Sequence, residues 1–216
     1  KGKKEKSRLV IVNDNFVNLK KIVSRKKFRP VAGVLFDLGF SMWHIKRSGL
    51  GFTFSEEEPL TMRYDKNESK LTAEDIINEW PEKEIARILK EYGEERYARQ
   101  IAREIIKTRQ EKEIKTTLDL VKIIRRVMPV NRRSRIHPAT RTFQALRIAA
   151  NKELENLEKA LPQAVDILEK EGRMVIISFH SLEDRIVKNF FKQKENKLKI
   201  LTKKPARPAR SEVLKN

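Results

Sequence analysis

The sequence contains no cysteine and only three histidines in 216 residues. Without thiols it has no disulfide framework, no thiolate zinc site and no cysteine nucleophile. With so few histidines we predict no metal site. No apolar run approaches the roughly 18 residues that a membrane-spanning helix requires, and no secretory signal is visible. We therefore expect a soluble, cytoplasmic protein.

Acidic residues are scarce relative to basic ones: 30 Asp and Glu face 49 Lys and Arg, for a formal net charge of +19. The basic residues concentrate in four clusters, at residues 1–6, 25–29, 132–135 and 203–210. Basic clusters that neutralise phosphates release counterions and so give salt-dependent affinity for nucleic acid. One such cluster is more often a solvated surface, but four of them favour an RNA or DNA partner. A membrane surface is disfavoured, because no basic stretch accompanies an amphipathic helix with large apolar anchors.

Short β-branched runs predict three buried strands, at Leu9–Val12, Val31–Phe36 and Met174–Phe179. A helix over Val17–Phe28 separates the first two, and this order is typical of a parallel α/β layer. Leu198–Thr202 is expected to form a further strand. The fold class predicted from these patterns is α/β.

From Leu71 to Met128 the spacing predicts helices only. Thr72-Ala-Glu-Asp75 resembles a capping box, Pro81 is expected to open the next helix and Gly93 to close it. Thr117 can cap another helix that runs to Val127.

Helical spacing returns between Phe143 and Leu168, where Pro162 is expected to break or kink the helix. Gly172 is expected to supply a left-handed cap before the third strand. We predict a sheet domain in two segments, residues 1–65 and 131–216, separated by an inserted helical domain at 66–130.

Ligands of an open parallel sheet bind beyond the carboxyl ends of its strands. The polar segments that follow the three predicted strands are residues 13–16, 37–41 and 180–185. Taken alone each has a simpler explanation, since Asp37 or Ser181 can cap a helix and a lone His180 is more often a hydrogen-bonded core histidine. Together, a carboxylate, hydroxyls, an imidazole and an arginine at three strand ends predict one polar site.

Seven longer motifs stand in a fixed order along the chain: Asp37–Ser41, Gly51–Phe54, Pro59–Asp65, Glu79–Pro81, Tyr92–Arg96, His137–Ile148 and Ser178–Arg185. Together they resemble the family of bacterial ribosomal RNA small-subunit methyltransferase H, also called MraW. The resemblance runs from about residue 9 to the end of the chain.

This resemblance implies a class I Rossmann-like methyltransferase domain that carries an inserted all-helical domain. It also implies S-adenosyl-L-methionine as cofactor and small-subunit ribosomal RNA, or the small ribosomal subunit, as partner. The implied reaction is N4-methylation of a cytidine in the decoding region of 16S ribosomal RNA. The family's glycine-rich cofactor loop would lie upstream of residue 1, so we expect a partial Rossmann-like domain or a fragment.

The resemblance also implies roles for individual residues. Phe16 would lie beside the adenine of the cofactor, Asp37 would contact the cofactor, and His44 stands where the family has a glutamine. Asp37 and Ser41 are also candidates for holding the target amine. An acceptor for an amine hydrogen makes the weakly nucleophilic cytosine nitrogen more reactive.

The residues expected to contact RNA carry flat or basic side chains: Trp43, Arg132, Arg133, Arg135, Arg141 and His180. A flat side chain can stack on an unstacked base, and arginines can hold the RNA backbone. We expect Phe52 and Phe54 to pack into the core instead. Glu183 and Arg185 can form a structural ion pair.

Two other functions remain open. One is a non-catalytic RNA-binding or ribosome-assembly protein, or an inactive fragment of such an enzyme. The other is a different adenosylmethionine enzyme that acts on another nucleic acid.

Overall fold

The computed structural model describes residues 9–65, 71–128, 136–202 and 204–213. Its two strands are β1 (Val31–Asp37) and β2 (Leu168–Ile177). A 3₁₀ helix at Phe16–Asn18 precedes the helices α1 (Leu19–Arg25), α2 (Met42–Arg47), α3 (Ala73–Glu79), α4 (Glu82–Glu91), α5 (Ala98–Glu111), α6 (Thr117–Val127), α7 (Thr140–Asn151), α8 (Glu153–Ile167), α9 (Ser181–Gln193) and α10 (Arg210–Val213). The fold is therefore mixed α/β.

Strands β1 and β2 pair in parallel, from Val31 with Leu168 to Asp37 with Ile177, with one irregularity before Gly33. Parallel strands cannot be joined by a tight turn, and here helices α2 to α8 lie between them in the chain. Both strands therefore end at the same edge of the sheet. The predicted parallel α/β layer is confirmed in this smaller form.

One face of the sheet packs against α8 and α9. Alternate residues of the strands, among them Phe36 and Met174, join Leu157 and Leu161 of α8 in one apolar cluster. This packing follows from the period of two in a strand, which sends successive side chains to opposite faces. It holds α8 beneath the carboxyl ends of both strands.

The largest core cluster lies among the helices. It takes in Leu60, Met62 and residues of α3 to α7, including Ile105 and Ile124, which are fully buried. The predicted capping box of α3 is confirmed, because Thr72 Oγ1 accepts from the Asp75 N–H at 3.0 Å and the Asp75 carboxylate accepts from the Thr72 N–H at 2.7 Å. No helix within the described ranges has the length and apolar character needed to cross a bilayer.

The strands predicted at Leu9–Val12 and Leu198–Thr202 are wrong, since neither segment has strand structure. Ile11 is 84% exposed and Leu201 is 62% exposed. A β-branched run becomes a strand only where a neighbouring strand completes its backbone hydrogen bonds. In the described part of the chain β1 pairs with β2, and the sheet includes neither of these segments.

Two helices also have bounds that differ from those predicted. The helix expected over Val17–Phe28 begins as a 3₁₀ turn and ends at Arg25. Thr116 rather than Thr117 caps α6, because its Oγ1 accepts from the Asp119 N–H at 3.2 Å.

Pro162 does not break its helix: α8 runs without interruption from Glu153 to Ile167. The break falls instead at Lys152, whose left-handed backbone (φ +52°) separates α7 from α8. The left-handed residue here is Glu171 (φ +68°), which lies inside β2, so the cap predicted at Gly172 is also wrong. Gly172 lies inside β2, where a Cβ would come within 2.8 Å of the Leu168 side chain.

Candidate functional site

The segments after β1 and β2 leave the sheet side by side. The Leu38 N–H donates to the Ile177 carbonyl at 3.1 Å, which extends the pairing one residue beyond Asp37. Gly39 then turns the chain toward α2 with φ +84°, and a Cβ there would lie 3.5 Å from the Phe179 ring. The structure therefore brings residues 37–41 and 180–185 to one edge. Residues 13–16 follow no strand.

Five rings form an aromatic cluster beside this edge: Phe40, Trp43, His44, Phe52 and Tyr64. Phe52 stacks on Phe40 at 5.7 Å and on Tyr64 at 5.6 Å between ring centroids. The His44 ring meets Phe52, Tyr64 and Trp43 edge-on at 5.2 to 5.4 Å. The predicted burial of Phe52 is confirmed, whereas Trp43 is 50% exposed at the rim of the cluster.

Hydrogen bonds from Ser41 define the protonation of His44. The Ser41 N–H donates to His44 Nδ1 at 3.2 Å, and Ser41 Oγ lies 3.0 Å from the same atom. A backbone N–H can only donate, so Nδ1 is an acceptor and the neutral ring carries its proton on Nε2. Burial is the main cause that lowers the pKa of His44 below its ordinary value. His44 therefore presents a hydrogen-bond donor at Nε2.

An ionic network of Tyr64, Arg147 and Glu153 lies against the aromatic cluster; the Arg147 and Glu153 side chains are largely buried, and Tyr64 is 37% exposed. Arg147 donates to both Glu153 oxygens, at 2.9 and 3.0 Å, and the Tyr64 hydroxyl donates to one of them at 3.0 Å. The Arg147 guanidinium also lies 4.4 Å from the Phe40 ring centroid. Burial lowers the pKa of Arg147, but Glu153 more than offsets it and the net pKa is raised. The ionic network thus ties the aromatic cluster to the junction of α7 and α8.

His180 is the N-cap of α9 and is 11% exposed at its side chain. Its Nδ1 accepts from the Glu183 N–H at 3.4 Å, and the Glu183 carboxylate accepts from the Phe179 N–H at 2.8 Å. Burial alone would raise the pKa of Glu183, but the His180 side chain and the Phe179 N–H lower it overall. The simpler interpretation of His180, a hydrogen-bonded buried histidine, matches at Nδ1, whereas Nε2 is buried without a hydrogen-bond partner among the described residues.

Glu153, His180 and Glu183 offer ligand atoms that lie within 4.8 Å of one another, as in a metal site. The chemistry of the donors does not fit a metal, however. Both oxygens of Glu153 accept from Arg147, and His180 Nε2 carries the proton when Nδ1 accepts. The group is an extension of the ionic network.

The other two predicted cofactor residues are Phe16 and Asp37. Both are neighbours of Phe36, the last buried residue of β1: Phe16 through a ring contact and Asp37 as the next residue in the chain. Phe16 meets the Phe36 ring edge-on at 5.9 Å and is 37% exposed. Asp37 follows Phe36 and is exposed at the end of β1. Within the described ranges its carboxylate makes neither a hydrogen bond nor an ion pair, so it is available to a ligand.

The predicted RNA contacts are only partly described. Arg132, Arg133 and Arg135 lie outside the described residues. Arg141 donates to the Glu94 carbonyl at 3.1 Å. The ion pair suggested between Glu183 and Arg185 is wrong, because the Arg185 guanidinium pairs with the Glu94 carboxylate at 3.2 Å.

The sequence did not indicate that Tyr64, Arg147 and Glu153 form an ionic network next to the site. Tyr64 and Arg147 fall inside two of the quoted motifs, and this was a usable signal. Glu153 lies outside them and 89 residues from its Tyr64 partner, so no local pattern identified it.

Comparison with known proteins identifies the family. A model of the MraW methylase family matches residues 2–216. The chain is similar to the ribosomal RNA small subunit methyltransferase H of three bacteria. Identity is 46% over 226 residues for Carboxydothermus hydrogenoformans (97% of this chain, 72% of the relative). It is 49% over 212 residues for Sulfurihydrogenibium azorense (97% and 72%) and 53% over 194 residues for Thermotoga neapolitana (88% and 63%). The chain therefore belongs to the MraW methylase family and is a methyltransferase.

Proposed function

We propose that this protein methylates small-subunit (16S) ribosomal RNA with S-adenosyl-L-methionine, at N4 of a cytidine in the decoding region. The observation that carries the proposal is that β1 ends in the exposed Asp37, whose carboxylate has no hydrogen bond or ion pair within the described residues, three residues before Phe40 of the aromatic cluster. The relatives named above as ribosomal RNA small subunit methyltransferases support it. So does the net charge of +19, which suits a polyanionic substrate.

The residues present fit an adenosyl cofactor. Asp37 offers an unpaired acceptor, His44 offers a donor at Nε2, and Phe16 offers a partly exposed ring. Hydroxyls of a ribose can donate to a carboxylate, ring nitrogens of an adenine can accept from an imidazole N–H, and a flat apolar face suits the base. When bound, the cofactor supplies the electrophilic methyl group of its sulfonium.

The chain's own residues would hold the target amine. Ser41 Oγ directs its hydrogen toward His44 Nδ1, so its lone pairs remain free to accept an amine hydrogen. The Asp37 carboxylate is a second acceptor four residues away. Acceptance of an amine hydrogen raises the nucleophilicity of the nitrogen, and this is the role proposed for both residues. His44 cannot serve as the base, because its free nitrogen already carries a proton.

A cytosine must leave the base stack before its amine becomes accessible. Trp43 is half exposed at the rim of the aromatic cluster, where it can stack on a splayed base. The aromatic rings behind it are packed against one another and rest on the Arg147–Glu153 pair. We assign Trp43 to RNA on this ground, together with Arg132, Arg133 and Arg135, which are basic. Arg141 and His180 remain weaker candidates because their side chains already bond within the protein.

The architecture proposed with this function is a Rossmann-like domain at 1–65 and 131–216 with a helical insertion at 66–130. The parallel pairing of β1 with β2 and the run of helices between them support it. The helical core cluster extends beyond 66–130 to Leu60 and to Phe143 of α7.

The test combines Asp37→Asn and Ser41→Ala with the matched controls Asp166→Asn and Ser24→Ala, which lie on α8 and α1. Methyl transfer to small ribosomal subunits is measured, with identification of the modified nucleoside and calorimetry of cofactor binding. We expect N4-methylcytidine from the unmodified chain, and loss of turnover or of cofactor affinity in the two site variants only.

Unchanged turnover with unchanged cofactor affinity would remove Asp37 and Ser41 from the mechanism. A different modified nucleoside would favour another adenosylmethionine enzyme. RNA binding without any methyl transfer would favour the non-catalytic RNA-binding or assembly protein.

A further inference from the structure

Helix α5 carries a row of three exposed cations, Arg99, Arg103 and Lys107, called here the α5 stripe. Residues four apart lie on one side of an α-helix, so the three side chains share a face and follow one another at about 6 Å along the axis. The opposite face of α5 is buried through Ile101 and Ile105. The stripe is therefore held rigidly on the helical core.

The stripe differs from the other basic helices in having no ion pairs. Arg87 of α4 binds two carboxylates of its own helix, and Lys188 of α9 binds Asp184. Within the described ranges none of the three stripe residues pairs with an acid. The acids nearest to them on α5 are Glu104, which pairs instead with Arg126 of α6 at 3.4 Å, and Glu111, which ends the helix four residues after Lys107. Within the described ranges the stripe thus presents three positive charges without an ion pair, with one negative charge, Glu111, at its far end.

The stripe begins next to the candidate site. Glu94 lies just before α5, and its carboxylate contacts the first turn of α9. The Ser181 hydroxyl donates to it at 3.1 Å and Arg185 pairs with it at 3.2 Å. Ser181 follows His180 at the sheet edge. This contact places Glu94, four residues before α5 begins, at the first turn of α9, and the stripe then extends from Arg99 to Lys107 over about 12 Å of helix axis.

We infer that the α5 stripe binds the phosphate backbone of single-stranded RNA next to the target nucleotide and guides that strand to the site. This inference rests on the proposed function, since it takes RNA as the substrate. The contacts are with phosphates, so they position the strand without reading its sequence. Cations without ion pairs suit phosphate binding, because no ion pair within the protein has to be broken when the RNA binds.

The test measures fluorescence anisotropy of a short labelled single-stranded RNA with the 216-residue chain, over about 50 to 200 mM salt. The stripe variant is Arg99→Gln/Arg103→Gln/Lys107→Gln. Its control is Arg87→Gln/Lys170→Gln/Arg173→Gln, which removes the same residue types from exposed positions outside the four basic clusters: Arg87 is already ion-paired on α4, and the other two lie on β2. Both variants lower the net charge from +19 by three.

Each phosphate contact on single-stranded RNA contributes about 0.7 to the slope of log affinity against log salt. The stripe variant should therefore lower the slope by about 2 and weaken binding by up to about 100-fold at 0.1 M salt. The control should change the slope by less than about 0.5 on the same scale. Far-UV circular dichroism should be unaltered in both.

Equal slopes in the two variants, or no RNA binding by the unmodified chain, would overturn the inference. Methyl transfer to small subunits, measured in parallel, separates it from the proposed function. If methyl transfer occurs but the two variants have equal salt slopes, only the RNA-binding role of the α5 stripe is rejected. If the stripe variant lowers the slope but no methyl transfer occurs, the proposed methylation is rejected and the RNA-binding role of the stripe is retained.

Discussion

Removal of the Glu153 carboxylate is the sharpest test of the ionic network under the site. Glu153 and Arg147 are only 10% and 11% exposed at their side chains. Glu153→Ala leaves the Arg147 charge and the Tyr64 hydroxyl without the acceptor they share. Loss of one partner of a buried pair costs about 3–5 kcal/mol. The contact of Arg147 with the Phe40 ring is present before and after the change and does not enter the difference, whereas the 37% exposure of Tyr64 favours the lower end of this range. We therefore expect a loss of about 3 kcal/mol in the free energy of unfolding.

Urea unfolding followed by far-UV circular dichroism measures this loss. The control is Glu91→Ala, which breaks an exposed pair with Arg87 and should cost less than about 1 kcal/mol. The double variant Arg147→Met/Glu153→Leu removes both charges and should regain most of the stability, because no unpaired charge stays buried. A Glu153→Ala cost as small as that of the control, or a double variant no more stable than the single one, would refute this reasoning.

Two further predictions concern the turn before the core helices and the histidines. Gly51→Ala should lower stability by more than about 1–3 kcal/mol, because its φ is +82° and a Cβ would lie 2.3 Å from the Pro59 carbonyl oxygen. Gly49→Ala is the control, because Gly49 has a similar left-handed backbone (φ +64°) but no atom lies within 4 Å of where its Cβ would be. Equal losses of stability in urea unfolding would contradict a steric clash at residue 51. Burial lowers the pKa values of His44 and His137 below the ordinary value of 6.5, so the folded chain binds fewer protons than the unfolded chain in that range. Stability should therefore fall as the pH drops below about 6.5 and be level above it. Thermal unfolding across this range checks the prediction, and a double His44→Gln/His137→Gln variant with the same pH dependence would contradict it.

Local features of the chain were predictable from a few neighbouring residues. The strand over Val31–Phe36, the capping box at Thr72 and the helical spacing of α5 depend on side-chain period and on hydrogen bonds within one turn. The polar residues after β1 and β2 were predictable for the same reason, since parallel strands end at one edge. The Leu9–Val12 run shows the limit of such reasoning, because apolar character does not supply a pairing partner.

The sequence by itself therefore determined the fold class and the strongly basic character of the protein, because these depend on composition and on short-range periodicity. Only the tertiary structure decided which side chains support the site. Tyr64 and Glu153 meet because Lys152 takes a left-handed backbone between α7 and α8 and turns the start of α8 toward the loop that carries Tyr64. Contacts between residues so far apart in the chain arise from packing of whole elements, and no local pattern encodes them.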